Sequence, residues 1–253
     1  MRVLFIGNSH TFFNDMPELF ARFCETDGAK PDVTMLAYPG KYLDWHMDEY
    51  FATRFNILYG GYDYCVIQQG AHPFPEVEST FTNAKRIIEM CRTAGTVPVI
   101  VMTWAEKRFP ENQAKMIDCY TKLAAETGSL LSPVGLAWQK LQKEHPEIEL
   151  YWKDGEHASL YGDYLIAAAD YGVITGKTEL DLPPIGLDFM KDKDLGKPRR
   201  LIEDPAETGV DLDPEKTAVI LDAVSAELIM LKELKMTGNR LFFVLLFCFD
   251  TGF

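Results

Sequence analysis

Two short polar motifs in this 253-residue chain carry residue types that could together cleave an ester. Gly7-Asn8-Ser9 stands near the N-terminus, and Asp154-Gly155-Glu156-His157 stands far along the chain. A serine hydroxyl is a weak nucleophile that needs a base, and a histidine base needs an acceptor on its second ring nitrogen. Asp154 and His157 are three residues apart across a turn, which meets that need. The residue types predict acyl transfer with Ser9 as nucleophile, His157 as base and Asp154 as its partner.

Each motif also has an ordinary structural interpretation. Ser9 could cap the helix that follows it, and His157 could be a loop histidine beside an unrelated Asp154. Thr11 stands where the nucleophile elbow of the α/β-hydrolases has its second glycine, so the first motif is not of that type. Glu156 is a rival acceptor, but it is adjacent to His157 and would point elsewhere. The catalytic hypothesis therefore depends on whether the fold brings the two motifs together.

The elements that must position these residues are strands alternating with helices. Strands are predicted over residues 3–6, 33–37, 64–67, 98–102 and 130–131. Helices are predicted over residues 17–24, 81–91, 112–127, 136–143, 160–171 and 215–235. This alternation predicts an α/β fold, a three-layer α/β/α sandwich with a flavodoxin-like, doubly wound parallel sheet of about five strands. Such sheets bind ligands at the carboxyl ends of their strands, where the polar motifs of this chain stand.

Taken in order, the motifs resemble the sequence blocks of the SGNH/GDSL hydrolase superfamily over roughly residues 1–175. The matching features are Gly7-Asn8-Ser9, an isolated Gly40 after the second strand, a polar motif after the third strand, Asp154-x-x-His157 and the segment 158–165. The resemblance implies that Ser9 is the nucleophile and also donates its backbone N–H to the oxyanion. It implies a second N–H from Gly40 and a third donor from a side-chain amide after the third strand. His157 would be the general base and Asp154 its orienting partner.

The third block departs from the Gly-x-Asn-Asp pattern usual in this superfamily, because the chain has Gln68-Gln69-Gly70-Ala71-His72-Pro73 there. Alignment on Gly70 puts His72 where the asparagine is expected. Some similar branches use a glutamine just before that glycine, so Gln69 is the predicted third oxyanion donor, with Gln68 close behind. His72 stays open as an alternative, although a neutral imidazole donates through one tautomer only.

Several other residues near the motifs could line a substrate pocket. His10 follows the nucleophile and Trp104 follows the fourth strand, and both are candidate substrate-binding residues. Trp45 and His46, beyond Gly40, are similar candidates, and each of the four could equally be packing. The sequence has no His/Cys/Asp/Glu set with metal-ligand spacing and no glycine-rich phosphate loop. We therefore expect no metal and no cofactor.

Charge and cysteine content narrow the possible partners and compartment. The formal net charge of −13 disfavours nucleic acid and anionic lipid as partners. The five cysteines are odd in number and lack C-x-x-C spacing, which indicates buried free thiols and a reducing compartment. The N-terminal segment reads as a strand at once and lacks the features of a signal peptide. These features predict a cytoplasmic location, with export only if a leader was removed before this numbering.

We expect a single domain over residues 1–235, with residues 178–213 as a long surface excursion that joins the core to the last helix. Residues 236–253 form an apolar tail of unknown role. Its nine continuous apolar residues, 241–249, are too few for a membrane-spanning helix, which needs about 20. The tail could pack as a late strand or mediate contacts in an oligomer.

The predicted activity is hydrolysis of carboxylic esters, with small O-acyl groups as the first class and acetyl on a carbohydrate as its example. An acyl transferase or a lipid esterase could use the same residues, because a fold does not choose among them. A non-catalytic small-molecule or carbohydrate binding module is the rival, and an assembly protein that uses the apolar tail is a third hypothesis. Catalysis requires Ser9 Oγ near His157 Nε2 with Asp154 on Nδ1, whereas a binding module would leave the three scattered.

Overall fold

Strands and helices alternate along the chain in the computed structural model, which describes residues 1–188 and 209–236. The strands are β1 (Arg2–Gly7), β2 (Asp32–Ala37), β3 (Tyr64–Ile67), β4 (Val97–Val101), β5 (Leu130–Ser132), β6 (Ile185–Leu187) and β7 (Gly209–Asp211). The helices are α1 (Ser9–Phe12), α2 (Met16–Thr26), α3 (Leu43–Asp48), α4 (Phe51–Tyr59), α5 (Val77–Thr93), α6 (Asn112–Thr127), α7 (Val134–Glu144), α8 (Leu160–Thr175) and α9 (Pro214–Met236). A short 3₁₀ helix, Phe13–Asp15, joins α1 to α2.

The central sheet has five parallel strands in the order β2-β1-β3-β4-β5. Strand β1 lies between β2 and β3, with Val3 beside Val33 on one side and Tyr64 on the other. The strand order reverses at β1, and in doubly wound sheets the ligand crevice lies at the carboxyl end of such a switch point. The predicted fold class is thereby confirmed, and the Ser9 motif follows the strand at which the order reverses.

Both faces of the sheet are buried, which explains why its strands read as continuous apolar segments. Val3 and Phe5 of β1 pack into a core with α2, α7, α8 and α9. Leu4 and Ile6 point to the opposite face, into a core with α3, α4, α5 and α6. Two helical layers therefore hold the sheet between them and leave its carboxyl edge to the loops.

The structure differs from the sequence-based expectations in two places. Helices α3 and α4, of six and nine residues, were not expected, because such short helices carry too few turns to show an apolar period. Within the predicted excursion 178–213, β6 and β7 pair antiparallel, and Leu187 is buried in the core that includes α8. The rest of that excursion, residues 189–208, and nearly all of the predicted apolar tail lie outside the described residues. The predicted domain boundaries stay a prediction.

Candidate active site

Ser9 lies where β1 ends and α1 begins, at the carboxyl edge of the sheet. Asn8 is the residue that caps α1, because its side-chain oxygen accepts the His10 backbone N–H at 3.0 Å. The Ser9 hydroxyl is therefore not used for capping. Its backbone N–H lies in the first turn of a helix, where N–H groups have no intrahelical acceptor. Both the hydroxyl and the N–H of Ser9 are thus placed for roles outside the helix.

The second motif forms a tight loop around its own aspartate. Asp154 Oδ1 accepts the backbone N–H groups of Glu156, at 2.9 Å, and of His157, at 3.0 Å. Gly155 has a φ of +73°, a left-handed conformation that side chains other than glycine's rarely adopt. The Trp152 N–H donates to His157 O at 2.7 Å and closes the loop at its base. The loop thereby sets the position of His157 relative to Asp154.

The segment after β4 fastens this loop to the sheet. Trp104 Nε1 donates to Glu156 O at 2.9 Å. The Lys107 backbone N–H donates to Gly155 O, also at 2.9 Å. Because β4 is a central strand of the sheet, these two bonds tie the histidine loop to the core.

The fold brings the two motifs into direct contact across 148 residues of sequence. Ser9 Oγ lies 2.8 Å from His157 Nε2, and His157 Nδ1 lies 2.7 Å from Asp154 Oδ2. The ionised Asp154 only accepts hydrogen bonds, so Nδ1 carries the imidazole proton and the free Nε2 accepts the Ser9 O–H. This is the order of contacts by which a histidine base activates a serine.

The charge state of Asp154 suits this arrangement. Partial burial raises the pKa of its carboxyl, but hydrogen bonds from the Glu156 N–H and from His157 outweigh that effect and hold the pKa below its usual value. Asp154 is therefore ionised at neutral pH. An ionised carboxylate is the acceptor that a histidine base needs on its second ring nitrogen.

The Gly40 loop approaches Ser9 from the neighbouring strand β2. Asn8 Nδ2 donates to Lys41 O at 2.9 Å, and the Tyr38 N–H donates to Gly7 O at 3.2 Å. These two bonds tie the residues on either side of Gly40 to the residues just before Ser9. The loop predicted to supply a second oxyanion donor is thereby tied to the segment that carries Ser9.

Both glutamines of the third block are buried and bonded within the protein. Gln68 Oε1 accepts from the Asn8 N–H at 3.1 Å and from Thr11 Oγ1 at 2.8 Å, and its Nε2 donates to Gln69 O. Gln69 Oε1 accepts from the Leu43 N–H at 3.0 Å, and its Nε2 donates to Thr80 Oγ1 at 3.3 Å. Each amide therefore already has a donor contact, and a role as third oxyanion donor stays a prediction for either residue.

Gly70 and His72, in the same block, have distinct structural roles. A Cβ at Gly70 would lie 2.5 Å from the Tyr42 ring, so only glycine fits there without a shift. His72 Nδ1 lies 2.8 Å from His10 Nε2, and His72 Nε2 lies 2.9 Å from Trp104 O. Both ring nitrogens of His72 thus contact other groups of the protein.

The two candidate substrate-binding residues are nearly covered by the protein itself. His10 is 6% exposed and Trp104 is 1% exposed. The Trp104 indole stacks on Trp138 at a centroid distance of 4.4 Å and makes a T-shaped contact with the His10 ring, with centroids 5.3 Å apart. Substrate contact stays a prediction for both, while their observed contacts support the loop that carries His157.

Trp45 and His46, the weaker candidates, have other surroundings. His46 is buried, and its Nε2 lies 2.8 Å from Gly7 O, where it supports the end of β1. Trp45 stacks on Tyr50 with ring centroids 4.8 Å apart, in a cluster that also includes Tyr38. Neither residue has a contact with Ser9 or His157 among the hydrogen bonds and ring contacts of the described residues.

Phe13 and Asn14 contribute to the site although the sequence did not single them out. The Phe13 ring is centred 4.5 Å from the His157 ring. Asn14 has a φ of 48°, and its amide donates to Asp163 Oδ2 of α8 at 2.7 Å. Both link the nucleophile segment to the base segment. Phe13 reads as an ordinary core residue in sequence, but an asparagine just before the αL-prone Asp15 is a usable signal for a special turn.

Charged side chains surround the outer side of the histidine loop. A cavity there is lined by Lys107, Arg108, Asp154, Gly155 and Glu156. Arg108 makes ion pairs with Glu106, at 2.6 Å, and with Glu156, at 3.5 Å. Within residues 1–188 and 209–236, no group of three His, Cys, Asp or Glu side chains could hold a metal ion. Charged residues thus line the space on the outer side of the histidine loop, and neither Ser9 nor His157 is among its lining residues.

Comparison with known proteins relates this architecture to solved structures. No protein-family model and no curated protein matches the chain. A DUF4886 family protein from Bacteroides uniformis is similar with a TM-score of 0.63 at 17% identity, over 90% of this chain and 95% of that chain. TesA is similar with a TM-score of 0.57 at 14% identity, over 70% of this chain and 99% of TesA.

Axe2, an acetyl-xylooligosaccharide esterase from Geobacillus stearothermophilus, is similar with a TM-score of 0.56 at 15% identity. The match covers 68% of this chain and 93% of Axe2. TesA and Axe2 are SGNH/GDSL hydrolases. At these identities the likeness concerns the fold. The chain described here has the fold of the SGNH/GDSL hydrolases, as the order of its sequence blocks predicted.

Proposed function

We propose that this chain is a serine esterase that hydrolyses carboxylic esters through an acyl-enzyme on Ser9. The observation that carries the proposal is the continuous contact from Ser9 Oγ through His157 to Asp154, with distances of 2.8 and 2.7 Å. A binding module has no need of a base aimed at a serine hydroxyl. The contact therefore favours the enzyme over the non-catalytic alternative.

The proposed reaction begins when Ser9 Oγ attacks the ester carbonyl carbon while its proton passes to His157 Nε2. The tetrahedral intermediate collapses as His157 returns that proton to the leaving alcohol oxygen, and the acyl group stays on Ser9. Water then attacks the acyl carbon and gives a proton to His157. The second collapse releases the carboxylic acid and returns the proton to Ser9 Oγ.

The oxyanion is proposed to bind the backbone N–H groups of Ser9 and Gly40. Preorganised donors of this kind typically contribute ~2.7–4 kcal/mol each. Gln69 is the proposed third donor, with Gln68 and His72 as alternatives. To donate to the oxyanion, Gln69 would have to turn its amide N–H away from Thr80 Oγ1. That contact is 3.3 Å long, the longest of the donor contacts that these three residues make.

Small O-acyl esters are the proposed substrates, with acetyl groups on a carbohydrate as the first class to test. A structural neighbour supports this choice. One solved structure of the same fold is an acetyl-xylooligosaccharide esterase. Contacts of His10 and Trp104 with the substrate belong to this proposal.

The decisive test is hydrolysis of p-nitrophenyl acetate by the wild type and by Ser9→Ala, with labelling by a fluorophosphonate probe. We expect both turnover and labelling in the wild type, and a loss of kcat on the order of 10⁴-fold or more in Ser9→Ala. Ser129→Ala is the matched control, because Ser129 is a buried serine just before β5, at the amino end of an outer strand of the sheet. This variant should keep both the turnover of p-nitrophenyl acetate and the labelling by the fluorophosphonate probe.

Equal rates in the wild type and Ser9→Ala, with no label on Ser9, would contradict the esterase proposal and favour the binding module. If the esterase is established, acetylated xylo-oligosaccharides and p-nitrophenyl esters of longer acids can be compared. A preference for acetyl on the sugar would support the carbohydrate class. A preference for long acyl chains would instead indicate a lipid esterase.

A further inference from the structure

The imidazole of His157 packs against two other aromatic rings. The Phe13 ring is centred 4.5 Å away at an interplanar angle of 24°, and the His10 ring 4.8 Å away at 11°. Nearly parallel rings at these distances restrict how far an imidazole can rotate about its side-chain bonds. The direction of Nε2 toward Ser9 therefore depends on where these two rings are held.

His10 is itself held by its contact with His72, and its other ring nitrogen lies close to Asn8. Its Nδ1 lies 3.1 Å from Asn8 Oδ1, and its Nε2 lies 2.8 Å from His72 Nδ1. His72 is anchored in turn, because its Nε2 lies 2.9 Å from Trp104 O. The ring against His157 is thus the inner end of a chain that is fixed to the segment after β4.

The outer end of this chain, Trp104 O, determines where its protons lie. A carbonyl oxygen only accepts hydrogen bonds, and a neutral imidazole carries a single N–H. His72 therefore donates its Nε2–H to Trp104 O, and its bare Nδ1 accepts the Nε2–H of His10. Burial lowers the pKa of His10 well below its usual value, and the neighbouring His72 and His157 act in the same direction. The His10 ring is consequently neutral at neutral pH, so its one N–H bonds to His72 and its bare Nδ1 makes no hydrogen bond to Asn8 Oδ1.

We propose that His10 is a positioning residue for His157, an inference that rests on the proposed ester hydrolysis. The neutral His10 ring, anchored by His72, holds the His157 ring in the orientation in which His157 Nε2 points at Ser9. Neutrality matters because His157 becomes an imidazolium as the serine attacks, and a second charged ring 4.8 Å away would oppose that charge. A neutral aromatic ring beside a cation does not.

Two substitutions at His10 separate ring stacking from hydrogen bonding. His10→Phe keeps an aromatic ring against His157 but cannot bond to His72, whereas His10→Gln keeps an amide N–H for His72 and loses the ring. If the ring positions the base, kcat should decrease from the wild type to His10→Phe to His10→Gln. The loss in His10→Gln should be on the order of 10- to 100-fold, with KM for p-nitrophenyl acetate changed by less than about twofold.

A role for His10 as a buried hydrogen-bonding group alone predicts the reverse order, with His10→Gln more active than His10→Phe. That order would overturn the inference. Tyr120→Phe is the matched control, because it removes a buried hydrogen bond to Thr103, 2.8 Å long, without altering a ring next to His157. Its kcat should equal that of the wild type. Urea unfolding of each variant separates a loss of fold from a loss of kcat.

Nuclear magnetic resonance of protein with isotope-labelled histidine tests the inference without turnover. The Nδ1–H of His157, held by Asp154, should give one resolved downfield proton signal in the wild type. The signal should persist in His10→Phe. It should broaden in His10→Gln, because the His157 ring has then lost the aromatic ring at position 10 on which it stacks. If the wild type is inactive yet shows this pattern, the proposed hydrolysis fails and the positioning role stands. Wild-type kcat with an unchanged signal in His10→Gln overturns the positioning role.

His72→Gln provides a second variant in case His10→Gln does not fold. It leaves the His10 ring in place but replaces the imidazole that anchors it. We expect a kcat between those of the wild type and His10→Gln, together with a broadened Nδ1–H signal of His157. Wild-type kcat with an unchanged signal would show that the anchor has no effect on the base and would overturn the inference.

Discussion

Asp163 and Asp170, two acidic residues of α8, lie inside the protein rather than on its surface. Asp163 accepts one hydrogen bond from Asn14, and burial raises its pKa well above the usual value. Burial likewise raises the pKa of Asp170 to about 7, although interaction with the Ser132 hydroxyl opposes the shift. A buried acid of this kind is neutral at low pH and costs free energy once it ionises.

Replacing Asp170 with asparagine should remove part of the pH dependence of stability. The folded pKa of about 7 exceeds the unfolded value of 3.8, so the folded state holds a proton that the unfolded state has lost. The stabilisation is complete below the unfolded pKa and decreases as pH rises to about 7, by about 1.4 kcal/mol per pH unit. The amide of Asp170→Asn cannot ionise. Urea unfolding should therefore show Asp170→Asn gaining on the wild type between pH 5 and pH 8.

Asp222→Asn is the control for this measurement, since Asp222 is an exposed residue of α9. Its difference from the wild type should be the same at both pH values. A pH-independent difference for Asp170→Asn as well would contradict the assignment of a proton to Asp170 in the folded protein.

At the scale of elements, helix α8 begins directly after the segment that carries His157. Ser159 caps this helix, because its Oγ accepts the N–H groups of Tyr161 and Gly162, both at 3.2 Å. The same hydroxyl donates to Glu149 O at 2.7 Å. His157 is two residues before this cap, so the cap connects the histidine loop to α8, a helix of 16 residues.

Removal of the cap in Ser159→Ala should lower the free energy of unfolding by about 1 kcal/mol, within a usual range of about 0.5–2 kcal/mol. The loss arises because two helix N–H groups and the Glu149 carbonyl each lose a partner. Chemical denaturation at pH 7 measures it directly. Ser159→Thr keeps the hydroxyl and should retain most of the stability. Equal losses in the two variants would show that packing, and not the cap, is responsible.

At the scale of the whole molecule, the described interior contains several thiols, and the chain has a formal net charge of −13. Cys24, Cys65, Cys91 and Cys119 are all free and buried. Among the described helices none combines the length and apolar character required to cross a membrane. The cytoplasmic location, the exclusion of nucleic acid and the oligomeric state stay predictions.

The native protein should react slowly with a disulfide reagent such as Ellman's. Burial raises the pKa of the Cys24 and Cys119 thiols to about 12, and the thiolate is the reactive form. We expect these thiols to react about 100-fold or more slowly in the native protein than in urea, since each pKa unit removes tenfold of the thiolate. The measurement uses Cys248→Ser, because Cys248 lies outside the described residues. Rapid native reaction of four thiols per chain would contradict their burial.

The sequence by itself determined the layered sheet and the chemistry of the two motifs. Strands such as residues 3–6 and 64–67 were predictable because both sheet faces are buried, which makes each strand apolar throughout. Ser9, Asp154 and His157 were identifiable as candidates because serine, histidine and aspartate in this pattern are the residue types that such chemistry requires. Helices α3 and α4 were not predictable, since helices this short derive their stability from tertiary packing.

Only the tertiary structure decided which partner each polar side chain has. Gln69 reads as a free amide in sequence, but its donor contact is Thr80 on α5. The sequence made His10 a candidate substrate-binding residue and did not single out Phe13, and folding brings both rings against His157. Residue type determines what a side chain can donate, accept or stack on, and a local pattern determines strand or helix. Which groups meet depends on contacts between segments about 150 residues apart, such as Ser9 and His157, and no local pattern encodes those contacts.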